Sequence, residues 1–110
     1  MESLVTDITY EQIINGSIFN KKYTVVLFYY ESCVGSYLTE LSLNEMFYEF
    51  SDVVSFYKIN HLGNEEISIK YKLPEKSVLL FYKYQTLIDL IPGIIPKEEL
   101  NKRFKTLIKK

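Results

Sequence analysis

Two strongly apolar runs constrain most tightly what this chain can fold into. The first covers residues 23–30 and the second residues 53–59, and both are rich in β-branched and aromatic side chains. The first run is apolar without alternation, which is typical of a central strand covered on both faces. We therefore expect a sheet with helices packed on each side of it, in an α/β sandwich.

The segments around these runs predict four helices and a hairpin. The helices are expected over residues 9–14, about 36–50, 64–71 with Asn64 as N-cap, and from Pro96 onward, and the hairpin strands over residues 78–82 and 86–91. In the second helix the apolar residues recur at three- and four-residue spacing, at Leu38, Leu41, Leu43, Met46, Phe47 and Phe50. With a short strand before Asp7 as an option, this order predicts a central mixed sheet of four to five strands flanked by helices on both faces.

Composition bounds the classes of function. A length of 110 residues with 47% hydrophobic content allows one domain, residues 1–110, with a real core. A net charge of -1 argues against a nucleic-acid partner, and no apolar run is long enough to cross a membrane. One basic cluster stands at the C-terminus: Lys102, Arg103, Lys105, Lys109 and Lys110. We interpret it as complementing the dipole of the last helix, with phosphate binding as the alternative.

Cysteine content indicates the compartment. Cys33 is the only cysteine, so an intramolecular disulfide is excluded, and residues 1–7 lack the features of a signal peptide. We therefore expect a cytoplasmic protein. The only histidine, His61, has no cysteine or acidic cluster at a spacing typical of metal ligands, so we expect an exposed loop histidine and no metal site.

Cys33 is the candidate nucleophile. It lies between the first predicted strand and the second helix, in the sequence Glu-Ser-Cys-Val-Gly-Ser of residues 31–36. A thiol at a helix N-terminus faces unpaired backbone N–H groups and the positive end of the dipole, which lowers its pKa. Ser36 is one turn further on and can donate to the sulfur, whereas the Glu31 carboxylate would raise the pKa of the thiol. The alternative is a buried cysteine that acts as a small hydrophobe.

At these residues the sequence resembles the thioredoxin family. The run VVLFYYESC ending at Cys33 is similar to the family's strand and Trp-Cys-Gly-Pro-Cys turn, and VSFYKIN ending at Asn60 to its Lys-x-Asn-x-Asp strand. VLLFYK, residues 78–83, is similar to the family's Thr-Leu-Leu-Leu-Phe-Lys strand, and Gly93 stands near the family's Val-Gly. The resemblance runs without gaps from about Tyr23 to the C-terminus and implies the thioredoxin-like fold, with Cys33 and Ser36 as the catalytic pair of a monothiol Cys-x-x-Ser motif.

The departures from the family pattern alter the implied activity. Ser36 stands where the family has its resolving cysteine, and Leu27 where it has a buried aspartate. Ser32 replaces a tryptophan and Tyr37 a lysine. Ser77 stands in place of the cis-proline, so we expect a trans bond before Ser77, with Pro74 as the alternative source of that proline through a small shift of the alignment. The resemblance implies a substrate groove formed by Ser32, Val34, Gly35, Tyr37, Lys76 and Ser77.

Two functional hypotheses follow. The first is thiol–disulfide exchange at Cys33 with protein thiols or disulfides, or with glutathione as a co-substrate, without a dithiol reductase cycle and without a bound cofactor. An iron–sulfur cluster of the monothiol glutaredoxin kind is not expected, because that family's flanking residues are missing. The second is a redox-inactive binding module with a groove near Tyr29, Tyr37 and Ser77. We expect a monomer, with a Cys33-linked dimer as the alternative.

Overall fold

The computed structural model describes residues 3–108 and places five strands and four helices in them. The strands are β1 (Thr6–Ile8), β2 (Tyr23–Tyr29), β3 (Val54–Asn60), β4 (Val78–Lys83) and β5 (Thr86–Pro92). The helices are α1 (Tyr10–Ile14), α2 (Val34–Phe50), α3 (Glu65–Tyr71) and α4 (Lys97–Ile108). In the described residues no helix is long and apolar enough to cross a membrane.

The strands form one mixed sheet in the order β1-β3-β2-β4-β5. β1 and β2 run parallel to β3, whereas β4 runs antiparallel to both β2 and β5. Leu27 in β2 is paired with Lys58 of β3 on one side and Leu79 of β4 on the other. β2 is therefore the centre of the sheet, as its unbroken apolar sequence indicates.

Alternate side chains of the strands enter two separate cores. On one face Val25, Leu27 and Phe81 pack with Leu43 of α2 and Phe104 of α4. The other face packs against α1 and α3, where Val26, Phe28 and Leu80 meet Ile13 and Ile67. This confirms the prediction of helices on both faces of a central mixed sheet.

The predicted order of elements is confirmed, including the short strand β1 before α1. The second helix begins at Val34, two residues before the predicted start at Ser36, because Cys33 and not a later residue is its N-cap. The periodic apolar residues all lie in this helix, but Leu38 and Leu41 are exposed and do not belong to its core-facing side. Helix α2 is apolar around most of its circumference, and spacing alone did not identify the face toward the sheet.

Two further expectations about helix ends are refined. Asn64 is the N-cap of α3, but its side chain does not cap that helix; it accepts a hydrogen bond from the Tyr10 N–H at 3.1 Å and so ties α3 to α1. In the basic cluster, Arg103 bonds the Asp89 carboxylate and Lys105 pairs with Glu49. Lys109 and Lys110 lie outside the described residues.

Candidate functional site

Cys33 is placed by the turn that joins β2 to α2. Ser32, just before it, has a left-handed backbone with φ of 61°, which reverses the chain direction after the strand. The Cys33 N–H donates to the Tyr30 carbonyl at 3.3 Å, and the Cys33 carbonyl accepts from the Tyr37 N–H at 3.1 Å in the first turn of the helix. The thiol is therefore fixed at the N-cap of a 17-residue helix and is partly exposed.

The surroundings of the sulfur lower the pKa of the Cys33 thiol. The largest cause is the nearby Ser36 backbone N–H, followed by the Ser36 hydroxyl, and the Gly35 N–H adds to them, although the Cys33 side chain does not close a capping hydrogen bond at the start of α2. Partial burial acts in the opposite direction but is outweighed. These donors are the free N–H groups of a helix start, which stabilise the thiolate over the thiol.

Ser36 joins the helix to the end of the strand. Its side chain is only 5% exposed, and its oxygen accepts a hydrogen bond from the Tyr30 N–H at 3.1 Å. The hydroxyl hydrogen is then free to point at the Cys33 sulfur, since a hydroxyl can donate one bond while accepting another. The same hydroxyl thus braces the turn and stabilises the thiolate.

Glu31 does not act on the thiol as expected. Its carboxylate accepts a hydrogen bond from the Asn60 side-chain amide at 2.7 Å, and it is not among the causes of the Cys33 pKa shift. The expectation that Glu31 raises the pKa of Cys33 was therefore wrong. A neighbour in sequence at a sharp turn can direct its side chain to another strand, here β3.

Three exposed apolar side chains belong to the start of α2 or to the loop that packs on it. Val34 is 70% exposed, Tyr37 is 62% exposed and Ile94, in the loop between β5 and α4, is 58% exposed. Ile94 lies over Gly35, where an added Cβ would come within 2.9 Å of its Cγ1 and within 3.7 Å of the Cys33 sulfur. Sequence reasoning missed Ile94, because only the folded sheet brings the β5–α4 loop to the start of α2.

The loop before β4 supplies the remaining predicted groove residues. Lys76 is exposed, whereas Ser77 is buried, and the Ser77 carbonyl accepts a hydrogen bond from the Gly93 N–H at 3.0 Å. This bond holds the Ser77 loop to the loop that carries Ile94. None of the peptide bonds in the described residues is cis, and this agrees with the trans bond expected before Ser77.

The tyrosines that flank the thiol in sequence point to different partners. The Tyr29 hydroxyl donates to the Asp7 carboxylate at 2.8 Å, and burial together with this bond raises the pKa of Tyr29 to about 12. Tyr30 instead stacks on His61, with ring centroids 4.2 Å apart and planes 20° apart. His61 lies in the loop after β3, as predicted, but it is half-buried and not exposed as expected.

A polar cluster lies between α2 and the sheet, and the sequence did not predict it. The Lys58 ammonium donates to the Glu40 carboxylate at 2.9 Å and lies 4.0 Å from the Asp7 carboxylate. It also lies 5.5 Å from the centre of the Tyr29 ring. Glu40 stands one helical turn beyond Ser36, so the cluster fastens the first half of α2 to β1, β2 and β3.

Within residues 3–108 no group of three or more histidine, cysteine or acidic residues is arranged to hold a metal ion. The reactive group that the described residues offer at this site is the partly exposed Cys33 thiol, with polar donors of α2 and exposed apolar side chains near it.

Comparison with known proteins identifies the fold. No protein-family model and no curated protein matches the sequence. Among solved structures, 328 chains match, so the architecture is widespread and does not determine one activity by itself. One of them comes from work on how the thiol of the yeast mitochondrial 1-Cys peroxiredoxin is resolved through the glutathione and thioredoxin systems.

That solved chain is 22% identical to this one, with a TM-score of 0.78 over 93% of this chain and 94% of its own length. The likeness at this identity concerns the backbone and not the residues of the site. Together with the strand order and the helices on both faces, it shows that the chain adopts the thioredoxin fold.

Proposed function

We propose that this chain is a monothiol thioredoxin-like protein in which Cys33 exchanges disulfides with protein thiols or with glutathione. The observation that carries the proposal is the placement of a partly exposed thiol at the N-cap of α2, where the free N–H groups of the helix lower its pKa. A thiolate is the nucleophile in disulfide exchange, and exposure gives a disulfide access to it.

The exchange has two steps, and neither needs a second cysteine in the chain. The Cys33 thiolate attacks one sulfur of a substrate disulfide, a new S–S bond forms as the old one breaks, and the released thiolate takes a proton from solvent. An external thiolate such as glutathione then attacks the mixed disulfide, takes over the substrate sulfur and restores the Cys33 thiolate. Electrons balance, because each S–S bond that breaks is replaced by another.

The external thiol is the part of the cycle that this chain lacks. Cys33 is the only cysteine in the sequence, and Ser36 occupies the position of a resolving thiol one helical turn away. The solved relative belongs to a system in which glutathione and thioredoxin resolve a single-cysteine peroxiredoxin, and we extend that logic to this chain as a hypothesis. We accordingly expect a monomer in a reducing compartment such as the cytosol, with no bound cofactor and with glutathione as a co-substrate.

Two measurements on the native protein test this proposal. Incubation with glutathione disulfide should give a single mixed disulfide at Cys33 by intact mass, removed by reduced glutathione and absent in Cys33→Ser. Reduction of insulin in the presence of dithiothreitol should be negligible, because there is no second thiol to complete an internal disulfide. The proposal fails if the folded protein resists glutathionylation under conditions in which the urea-unfolded chain is modified.

The exposed apolar surface favours a second candidate, a redox-inactive binding module. Val34 and Tyr37 are exposed in the first turn of α2 and Ile94 lies over Gly35 of the same turn, and clusters of exposed apolar side chains mark interaction sites in many proteins. In that case the partner would bind Cys33→Ser as tightly as the wild type. A partner held by a mixed disulfide would be lost on the same substitution and released from the wild type by dithiothreitol, so one variant separates the two functions.

A further inference from the structure

The Tyr30 backbone braces both members of the Cys-x-x-Ser pair. Its carbonyl accepts the Cys33 N–H at 3.3 Å, and its N–H donates to the Ser36 hydroxyl oxygen at 3.1 Å. Tyr30 lies just beyond the last residue of β2, so the ladder of the sheet no longer fixes its backbone. Contacts that hold the Tyr30 side chain therefore help to position the Ser36 hydroxyl and the Cys33 sulfur.

The side chain of Tyr30 packs against His61 and Phe28. The two rings stack at 4.2 Å between centroids, and the Phe28 ring meets each of them edge-on, at 5.9 Å from Tyr30 and 6.0 Å from His61. His61 is itself anchored, because its N–H donates to the Tyr29 carbonyl at 2.9 Å. Aromatic pairs of this kind add to stability beyond the area that they bury.

His61 does not contact the thiol in any hydrogen bond or ion pair found among residues 3–108, and it is not among the causes of the Cys33 pKa shift. The charged groups around the stack are Glu75, which acts on the Tyr30 hydroxyl, and Glu31, which is bonded to Asn60 next to His61. An effect of His61 on Cys33 must therefore pass through the packing of Tyr30.

We propose that His61 is a positioning residue for the Cys33 site, acting through its stack on Tyr30. The ring keeps the Tyr30 backbone where its N–H occupies the Ser36 oxygen, and this leaves the Ser36 hydroxyl hydrogen directed at the sulfur. Loss of the stack loosens that turn and weakens the donor to the thiolate. The proposal rests on the proposed function only in taking the Cys33 thiolate as the reacting group.

The test is the pH profile of Cys33 alkylation by iodoacetamide, measured on folded protein for the wild type and five variants. His61→Ala should move the profile to higher pH and slow alkylation at neutral pH by about two- to fivefold, as expected for partial loss of one hydrogen bond to a charged group. His61→Phe keeps a stacking ring and should restore the wild-type profile. Phe19→Ala, the matched control, removes a ring that meets Tyr82 edge-on at 5.0 Å on the same sheet face but away from the thiol, and should leave the profile unchanged.

The fourth variant combines His61→Ala with Tyr30→Ala, and Tyr30→Ala is also measured alone to complete a double-mutant cycle. If His61 acts through Tyr30, the double variant should alkylate no more slowly than Tyr30→Ala. Additive effects, or an unchanged profile in His61→Ala despite a lower urea midpoint, would overturn the proposal. Iodoacetamide alkylates any exposed thiol, so this test does not depend on whether Cys33 reacts with glutathione disulfide. A failure of the proposed function would be seen separately, as a lack of glutathionylation in the wild type.

Discussion

Replacing Ser36 with alanine removes the one hydroxyl that links the end of β2, the start of α2 and the thiol. The Tyr30 N–H, which donates to that oxygen at 3.1 Å, then loses its acceptor inside the protein. An unsatisfied buried donor costs about 1–3 kcal/mol, and the lower end applies because Tyr30 is half-buried and water can reach it. We expect a loss of about 1 kcal/mol in the free energy of unfolding, or about 4 °C in Tm for a chain of this size.

Ser36→Ala should raise the pKa of the Cys33 thiol only in part. The backbone N–H of residue 36 is the largest cause of the lowered Cys33 pKa, and alanine keeps it, whereas the side-chain donor that ranks second is lost. The pKa of the thiol should therefore rise but remain below that of an ordinary cysteine. Alkylation at neutral pH should slow by a few fold and not return to the rate of a free thiol.

The assay pairs urea unfolding with the rate of iodoacetamide alkylation across pH. The matched control is Ser42→Ala, the same substitution in the same helix but away from the thiol, which should leave both measurements near the wild type. If Ser36→Ala had the same alkylation profile as the wild type, the reasoning would be refuted, because the backbone N–H groups alone would then determine the pKa of the Cys33 thiol. A profile equal to that of the urea-unfolded chain would refute it in the opposite direction, by making the hydroxyl the main cause.

Three further outcomes follow from the same structure. Ser36→Cys places a second sulfur one helical turn from Cys33, so oxidation by glutathione disulfide should form an internal disulfide. The disulfide would be seen as the loss of both free thiols in monomeric protein, and the formation of dimers alone would contradict the prediction. Phe104→Ala should lower the free energy of unfolding by about 3–5 kcal/mol in urea titration, since this fully buried ring packs against Phe81 at 4.9 Å between centroids. Because the folded pKa of Cys33 lies below its unfolded value, the thiolate adds stability that is fully present above the ordinary thiol pKa and is lost as pH falls through the folded pKa. The urea midpoint of the wild type should therefore gain on that of Cys33→Ser as pH rises toward the ordinary thiol range, and parallel pH curves would contradict this.

Local patterns in the sequence were enough to predict the fold. The unbroken apolar run of β2, the hairpin signals around residues 83–85 and Pro96 before α4 each correspond to an element of the structure. The position of Cys33 at a helix start followed from the same kind of evidence, because a strand, small polar residues and a periodic segment meet there.

The parts that could not be predicted depend on contacts between residues distant in the chain. The pairing of Glu40 with Lys58 and the stack of Tyr30 on His61 join segments that only the strand register brings together. The side of α2 that packs against the sheet could not be predicted for a related reason. Helix α2 has apolar residues on its solvent side as well as on its core side, so periodicity cannot tell which of the two the sheet will cover.

The place of β2 at the centre of the sheet has a consequence for how the thiol should be studied. A strand with partners on both sides and cores on both faces opens only when most of the molecule opens, so its amides should exchange with solvent among the slowest of the chain. The turn that carries Cys33 is attached to the end of that strand. Fraying that starts in β2 should therefore contribute little to reaction rates measured at Cys33.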